Sequence, residues 1–179
     1  MLNFLETREL LIENPRFPCY LWNVSGKWKS LDELRPLVTE AKAHAKVVVF
    51  TNGCFDLLHR GHVYLLRKAR ALGDLLIVGV NSDASVKALK GASRPILSEI
   101  DRVELIAAME MVDYVLLFEE LDPYNVIAVL QPNVLVKGGD WTSDRIVGAD
   151  VVQAAGGKVA VIPYVKGYST TEIIEKVRS

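Results

Sequence analysis

From Lys46 onward the chain alternates short β-branched runs with stretches of helical period, and no other feature limits its fold as tightly. Residues 47–51, 75–80, 114–118, 134–136 and 159–162 are brief and apolar, the pattern of strands buried on both faces. Between the first two, residues 61–72 put Leu65, Leu66, Ala69 and Leu72 on one helical face, and Gly73 suits the stop. Ser98 and Asp101 open a helix toward Met109, and Asp122 with Pro123 supplies a cap and first turn for a helix to Leu130. A further helix over 148–155 stops at Gly156-Gly157. Ser169 with Glu172 is a capping box for a last helix ending near Val177. Right-handed crossovers between parallel strands place helices on both sides of the sheet. The expected fold is therefore α/β: a single Rossmann-like, doubly wound, mostly five-stranded parallel sheet.

Before Lys46 the pattern changes. Ser30 and Glu33 form another capping box, which predicts a lead-in helix over 31–44. Residues 1–14 also have helical character. Pro15, Pro18, Trp22 and Trp28 imply an irregular segment that packs on the domain or on a partner. The chain thus divides into an N-terminal extension, 1–28, and a domain, 29–179.

Composition narrows the function. The 179 residues suit one domain with a short extension. A net charge of −1 offers no basic surface for nucleic acid or for an anionic membrane, so neither is an expected partner. No apolar run approaches the ~18 residues needed to cross a bilayer. Residues 1–11 include Glu6, Arg8 and Glu9 and lack the charged-then-apolar order of an export signal, which points to the cytoplasm. Cys19 and Cys54 make neither a metal spacing nor a disulfide framework.

In open α/β sheets ligands bind beyond the carboxyl ends of the strands. Here the polar and glycine-rich stretches 51–62, 81–83, 137–141 and 166–171 all follow expected strand ends. A lone histidine is more often a hydrogen-bonded core residue, but His59-Arg60-Gly61-His62 sets two imidazoles on one side of a helix start. Gly61 leaves room for a phosphate to approach the backbone, and the helix start adds unpaired N–H groups. Two such rings can donate to charge that builds on phosphorus. Zinc fits less well, because no third ligand stands at the required spacing. In Lys137-Gly138-Gly139-Asp140-Trp141 the glycines permit close approach, Asp140 can accept from a ribose, and Trp141 can lie against sugar or base; a glycine turn with a packed tryptophan fits equally. The hydroxyls of Ser169, Thr170 and Thr171 can cap a helix and still leave its amides for phosphate. There is no dinucleotide fingerprint, no P-loop and no nucleophile elbow, and Cys54 needs no catalytic role.

The stretch Gly53-Cys-Phe-Asp-Leu-Leu-His-Arg-Gly-His62 resembles the signature of the His-x-Gly-His nucleotidyltransferase superfamily. Phe50-Thr-Asn-Gly, Val80-Asn-Ser-Asp-Ala-Ser85, Leu89-Lys-Gly91, Ser93-Arg-Pro95, Val136-Lys-Gly-Gly-Asp-Trp141 and Ser169-Thr-Thr-Glu-Ile-Ile174 are similar to the adenylyltransferases that make ADP-heptose, over about residues 29–178. The resemblance implies transfer of AMP from ATP to heptose 1-phosphate. Mg²⁺ is expected on the ATP phosphates, since the chain offers no cluster of carboxylates to cage it, and no metal-ligating residue is singled out. It implies His59, His62 and Lys90 as catalytic donors, with Lys90 and Arg94 in a loop that closes on phosphate. Thr51, Asn52, Gly53, Cys54, Phe55, Gly61, Lys137, Gly139, Asp140, Trp141, Ser169, Thr170 and Thr171 would bind the nucleotide. Asp56, Asn81, Asp83 and Arg94 would bind the sugar phosphate. Arg102 matches an arginine of the relatives, and a helix ion pair explains it equally well. Related cytidylyltransferases carry an arginine where this chain has Tyr164, with Lys166 the nearest cation, which favours ATP over CTP. The alternatives are a cytidylyltransferase acting on glycerol or ethanolamine phosphate, and a nucleotide-binding module without catalysis. A separate heptose kinase upstream and assembly as a homodimer are also implied.

Overall fold

A computed structural model describes residues 26–139, 142, 145–165 and 167–178. The segment 1–25, with its expected helix over 1–14 and with Trp22, lies outside the described residues, as do Asp140, Trp141 and Lys166. The elements run α1 (Leu31–Ala43), β1 (Val48–Gly53), α2 (Arg60–Arg70), β2 (Leu75–Asn81), α3 (Asp83–Lys90), α4 (Glu99–Ala107), β3 (Tyr114–Phe118), α5 (Tyr124–Leu130), β4 (Val134–Gly138), α6 (Ala149–Ala154), β5 (Lys158–Ile162) and α7 (Thr170–Arg178). The five strands form one sheet in the order β3-β2-β1-β4-β5. Every pairing is parallel, with Phe50 of β1 opposite Ile77 of β2 and Leu135 of β4.

Side chains alternate across the strands, so successive residues feed two cores. Val48, Phe50, Ile77 and Leu135 pack under Leu34 and Val38 of α1, Val126, Ile127 and Leu130 of α5, and Val152 of α6. Val49, Leu76, Val78 and Val136 face the other way, against Leu66 and Ala69 of α2 and Val103 and Ile106 of α4. Each large side chain so buried contributes ~1.5–3 kcal/mol, enough to set the register of every strand. Gly79 belongs to this packing, since a Cβ there would lie 2.9 Å from Phe50 Cζ.

The helix starts follow their caps. Ser30 and Glu33 make the reciprocal box at α1, with Ser30 N donating to Glu33 Oε2 at 2.8 Å. The expected start at Pro123 shifts by one residue: α5 opens at Tyr124, whose N–H donates to Asp122 Oδ1 at 2.9 Å. One element differs in kind. The segment expected to carry Lys90 in a loop is helix α3, capped by Ser82 and stopped at Gly91, whose φ of 97° favours glycine. Lys90 is its last residue.

Residues just before α1 join the sheet. Lys29 N donates to Val115 O and Val115 N donates to Lys27 O, both at 2.9 Å, so Trp28 lies as a parallel bridge along β3. Its side chain packs on the second core. The bridge covers an edge that would otherwise offer unpaired backbone groups.

Candidate active site

The chain winds outward from β1 through β2 to β3, then crosses to β4 and β5 on the other side of β1. The switch point lies between β1 and β4, and their carboxyl ends bound a crevice. Asn52 and Lys137 meet across it, with Lys137 Nζ donating to Asn52 Oδ1 at 3.3 Å. Burial pulls the Lys137 ammonium below its usual range, and the nearby charge of Lys90 adds to the effect. Lys90, exposed at the end of α3, also bears electrostatically on Cys54. The charge of Lys90, at a helix end in place of a loop, is thus felt by Cys54 and Lys137. Burial raises the Cys54 thiol, which keeps it protonated and unreactive.

The histidines cap a helix with their own rings. His59 Nδ1 accepts from Gly61 N at 3.1 Å, and His62 Nδ1 accepts from His59 N at 3.4 Å. The imidazoles stack with centroids 3.8 Å apart and an interplanar angle of 22°, and Phe55 meets His62 edge-on at 5.3 Å. Burial, then the charge of His59, pushes His62 down to about 4. Burial lowers His59 as well, opposed by Glu172. Both rings are therefore neutral at pH 7. Because each Nδ1 accepts a backbone N–H, the ring proton resides on Nε2, leaving two N–H donors for a ligand. Gly61 is required here for space: a Cβ would sit 2.9 Å from His59 Cε1 and Nδ1.

A second helix start converges on the first. Ser169 Oγ accepts from Thr171 N at 3.2 Å, capping α7, and Thr170 Oγ1 donates to Leu57 O at 3.3 Å. That bond ties α7 to the loop between β1 and α2. Two positive helix ends so placed favour an anion between them.

Several expected ligand residues have partners inside the protein. Asp56 is buried, and its carboxylate accepts from Arg94 Nε at 2.5 Å, Ile96 N at 2.7 Å and Leu97 N at 3.1 Å. Asn81, also buried, donates to Ser85 Oγ at 2.9 Å. Asp83 accepts from Arg102 Nη2 at 2.8 Å. These bonds brace the rim from within, and Arg94 uses only Nε on Asp56. Thr51 is sealed from solvent, its hydroxyl unpaired among the described residues.

Arg102 is the residue the sequence left ambiguous. Completely buried, it donates to Cys54 O at 2.5 Å, Leu97 O at 3.2 Å and Asp83 at 2.8 Å. It fastens the loop after β1 to the start of α3. Arg60, Tyr164 and Tyr168 are further rim residues. Arg60 Nη1 donates to Tyr168 Oη at 3.3 Å, with its guanidinium 5.7 Å from that ring's centroid. The two tyrosines following β5, on the same rim as the histidines, were the available signal. Among the described residues no group of three or more His, Cys, Asp or Glu could hold a metal ion, and no helix is long and apolar enough to cross a membrane.

Comparison with known proteins agrees with this geometry. The model of the family described as cytidylyltransferase-like matches residues 50–176. "Bifunctional protein HldE" of Geotalea uraniireducens is 55% identical over 154 residues, covering 86% of this chain and 31% of that protein. Its namesake from Geobacter sulfurreducens is 53% identical over 152 residues, with 85% and 31% covered. The chain thus spans about a third of the length of these curated relatives. Among solved structures, a lipopolysaccharide core biosynthesis protein from Thermoplasma volcanium aligns with a TM-score of 0.55 and 28% identity, covering 69% of this chain and 99% of that one. A pantoate–beta-alanine ligase from Francisella tularensis, at TM-score 0.54 and 13% identity over 84% of this chain and 76% of its own, shares the fold. With its paired histidines at the switch point of a parallel sheet, the chain belongs to the cytidylyltransferase-like family and is a nucleotidyltransferase.

Proposed function

We propose that the chain transfers AMP from ATP to heptose 1-phosphate, giving ADP-heptose and pyrophosphate. The observation that carries the reading is the locked pair of neutral imidazoles, each with Nδ1 occupied by backbone and Nε2–H free to donate, beside two helix starts. A phosphate oxygen of the sugar phosphate attacks the α-phosphorus in line, and the bond to the bridging oxygen of the leaving pyrophosphate breaks. That nucleophile is already anionic, so no side chain needs to act as a strong base. The protein's contribution is position and preorganised donors, with His59 and His62 at the phosphorus and Lys90 toward the polyphosphate.

The choice of sugar draws support from the resemblance of the blocks around Lys137 and Ser169 to ADP-heptose-forming adenylyltransferases, and from likeness to a lipopolysaccharide core biosynthesis protein. Mg²⁺ fits this donor set as an ion held by the nucleotide's own phosphates, since the carboxylate of Asp56 is occupied by Arg94 and two backbone amides. When bound it would neutralise polyphosphate charge. A separate heptose kinase supplying the sugar 1-phosphate is part of the same proposal. A cytoplasmic location and assembly as a dimer belong to the same proposal.

A second reading has one observation in its favour, the cytidylyltransferase-like description of the matching family. Tyr164 in place of the arginine of related cytidylyltransferases argues against it. Pyrophosphate release, measured with ATP and with CTP against heptose 1-phosphate, glycerol 3-phosphate and ethanolamine phosphate, separates the two. Turnover is expected with ATP and heptose 1-phosphate. Turnover only with CTP and a phosphorylated alcohol would replace the proposal, and nucleotide binding without release for any pair would indicate a non-catalytic module.

A further inference from the structure

The β1 side of the crevice carries phosphate-type chemistry: two imidazole N–H donors and two helix starts. The β4–β5 side is different. Gly139 N donates to Ile162 O at 2.9 Å, which locks the ends of these strands together just before the chain turns toward Tyr164. Gly139 is buried with φ 124°, and a Cβ on it would meet Tyr164 Cε2, Cζ and Oη at 2.8 Å. The phenol ring thus leans directly on the glycine backbone, in space that any other residue would fill. Its remaining surface is open, for Tyr164 is 67% exposed. An aromatic ring held on one side and bare on the other, at the carboxyl rim beside a switch point, is a ready surface for a flat ligand group.

We infer that Tyr164, seated on Gly139, forms the wall against which the nucleoside of the bound nucleotide packs, and that it contributes to the preference for a purine. The inference rests on the nucleotidyl-transfer reading above and assigns the site a polarity. Phosphates lie at β1 with the histidines, and the nucleoside runs across β4 toward β5. Two strand spacings, roughly 10 Å, separate β1 from β5, a span that suits a nucleoside extending from its α-phosphate. Stacking on an aromatic face scales with ring area, so adenine gains more than cytosine. The position at which related cytidylyltransferases carry a cation then holds a surface for the base.

The test is equilibrium binding of ATP, CTP and inorganic tripolyphosphate to the wild-type chain and to Tyr164→Leu and Tyr164→Phe. Because Tyr164 is exposed, both variants should melt near the wild-type temperature. Tyr164→Leu is expected to weaken ATP roughly five- to a hundredfold, to weaken CTP less, and to leave tripolyphosphate unchanged. Tyr164→Phe, which keeps the ring, should hold ATP within about threefold. At saturating ATP, kcat of Tyr164→Leu should stay near wild type while KM for ATP rises. Wild-type ATP affinity in Tyr164→Leu would overturn this inference and leave the transferase reading intact, as would equal loss of ATP and tripolyphosphate. A wild-type chain that binds neither nucleotide would overturn both.

Discussion

Gly61→Ala is a single-methyl perturbation that separates the site from the fold. The methyl would lie 2.9 Å from His59 Cε1 and Nδ1, closer than carbon atoms tolerate, while Tyr168 Cβ at 3.5 Å is an ordinary contact. Gly61 lies in the first turn of α2 with no left-handed φ, so alanine suits its backbone. The imidazole must therefore swing, which breaks its bond from Gly61 N and its stack on His62. Losing that cap costs about 0.5–1.5 kcal/mol, and alanine returns about 0.5–1 kcal/mol as the better helix former. Net stability should move by less than about 1 kcal/mol. Turnover should not escape so lightly. With Nδ1 released, nothing holds the ring's proton on Nε2 or points it at phosphorus, and loss of one preorganised donor costs on the order of a hundredfold or more in kcat. Thermal melting with steady-state pyrophosphate release on the same preparation reads both quantities. A Gly61→Ala protein that melts normally and turns over at the wild-type rate would refute the role given to the His59 ring.

Two further outcomes follow from the same geometry. Arg102→Met strands the carbonyls of Cys54 and Leu97, while Asp83, with a side chain 42% exposed, regains water; the loss should be about 3 kcal/mol, lowering Tm by roughly 6–12 °C. An unchanged Tm would mean that this buried guanidinium does not hold the loop. His62 titrates near 4 in the folded chain and near its ordinary 6.5 when unfolded, so between those values the unfolded chain takes up a proton that the folded one refuses. The His62 contribution to stability should be flat above pH 7 and fall as pH drops from about 6.5 toward 4, by about 3 kcal/mol. NMR titration of the His62 ring and urea denaturation across this range test it, and a ring titrating near 6.5 would contradict the burial argument.

The fold was largely legible because parallel strands buried on both faces announce themselves as apolar runs, and capping residues such as Ser30, Ser98 and Ser169 mark helix starts locally. The helix α3 is not legible in the sequence for a physical reason: it is short, and little of it is buried beyond Ser85 and Val86. Its signals, Ser82 as cap and Gly91 as stop, are also those of a turn. The placement of the histidine pair with Gly61 at a helix start was readable because the hydrogen bonds that fix it span no more than three residues. The internal partners of Asp56, Asn81 and Asp83 were not readable. A polar residue at a strand end looks the same in sequence whether it meets a ligand or another part of the chain. Asp56 finds Arg94 across 38 residues and Asp83 finds Arg102 across 19, pairings that only the fold creates. In the sequence Tyr164 stands out only against the arginine of related cytidylyltransferases, because its seat on Gly139 depends on β4 and β5 lying side by side.

The most direct test of the account follows the α-phosphate itself. ATP radiolabelled at that phosphate, incubated with heptose 1-phosphate and the chain, should yield label in ADP-heptose and none in pyrophosphate. His62→Ala, folded by its melting curve, should form that product at least about a hundredfold more slowly. Label remaining in ATP with the wild-type chain, or undiminished transfer by His62→Ala, would contradict the assignment of AMP transfer to this histidine pair.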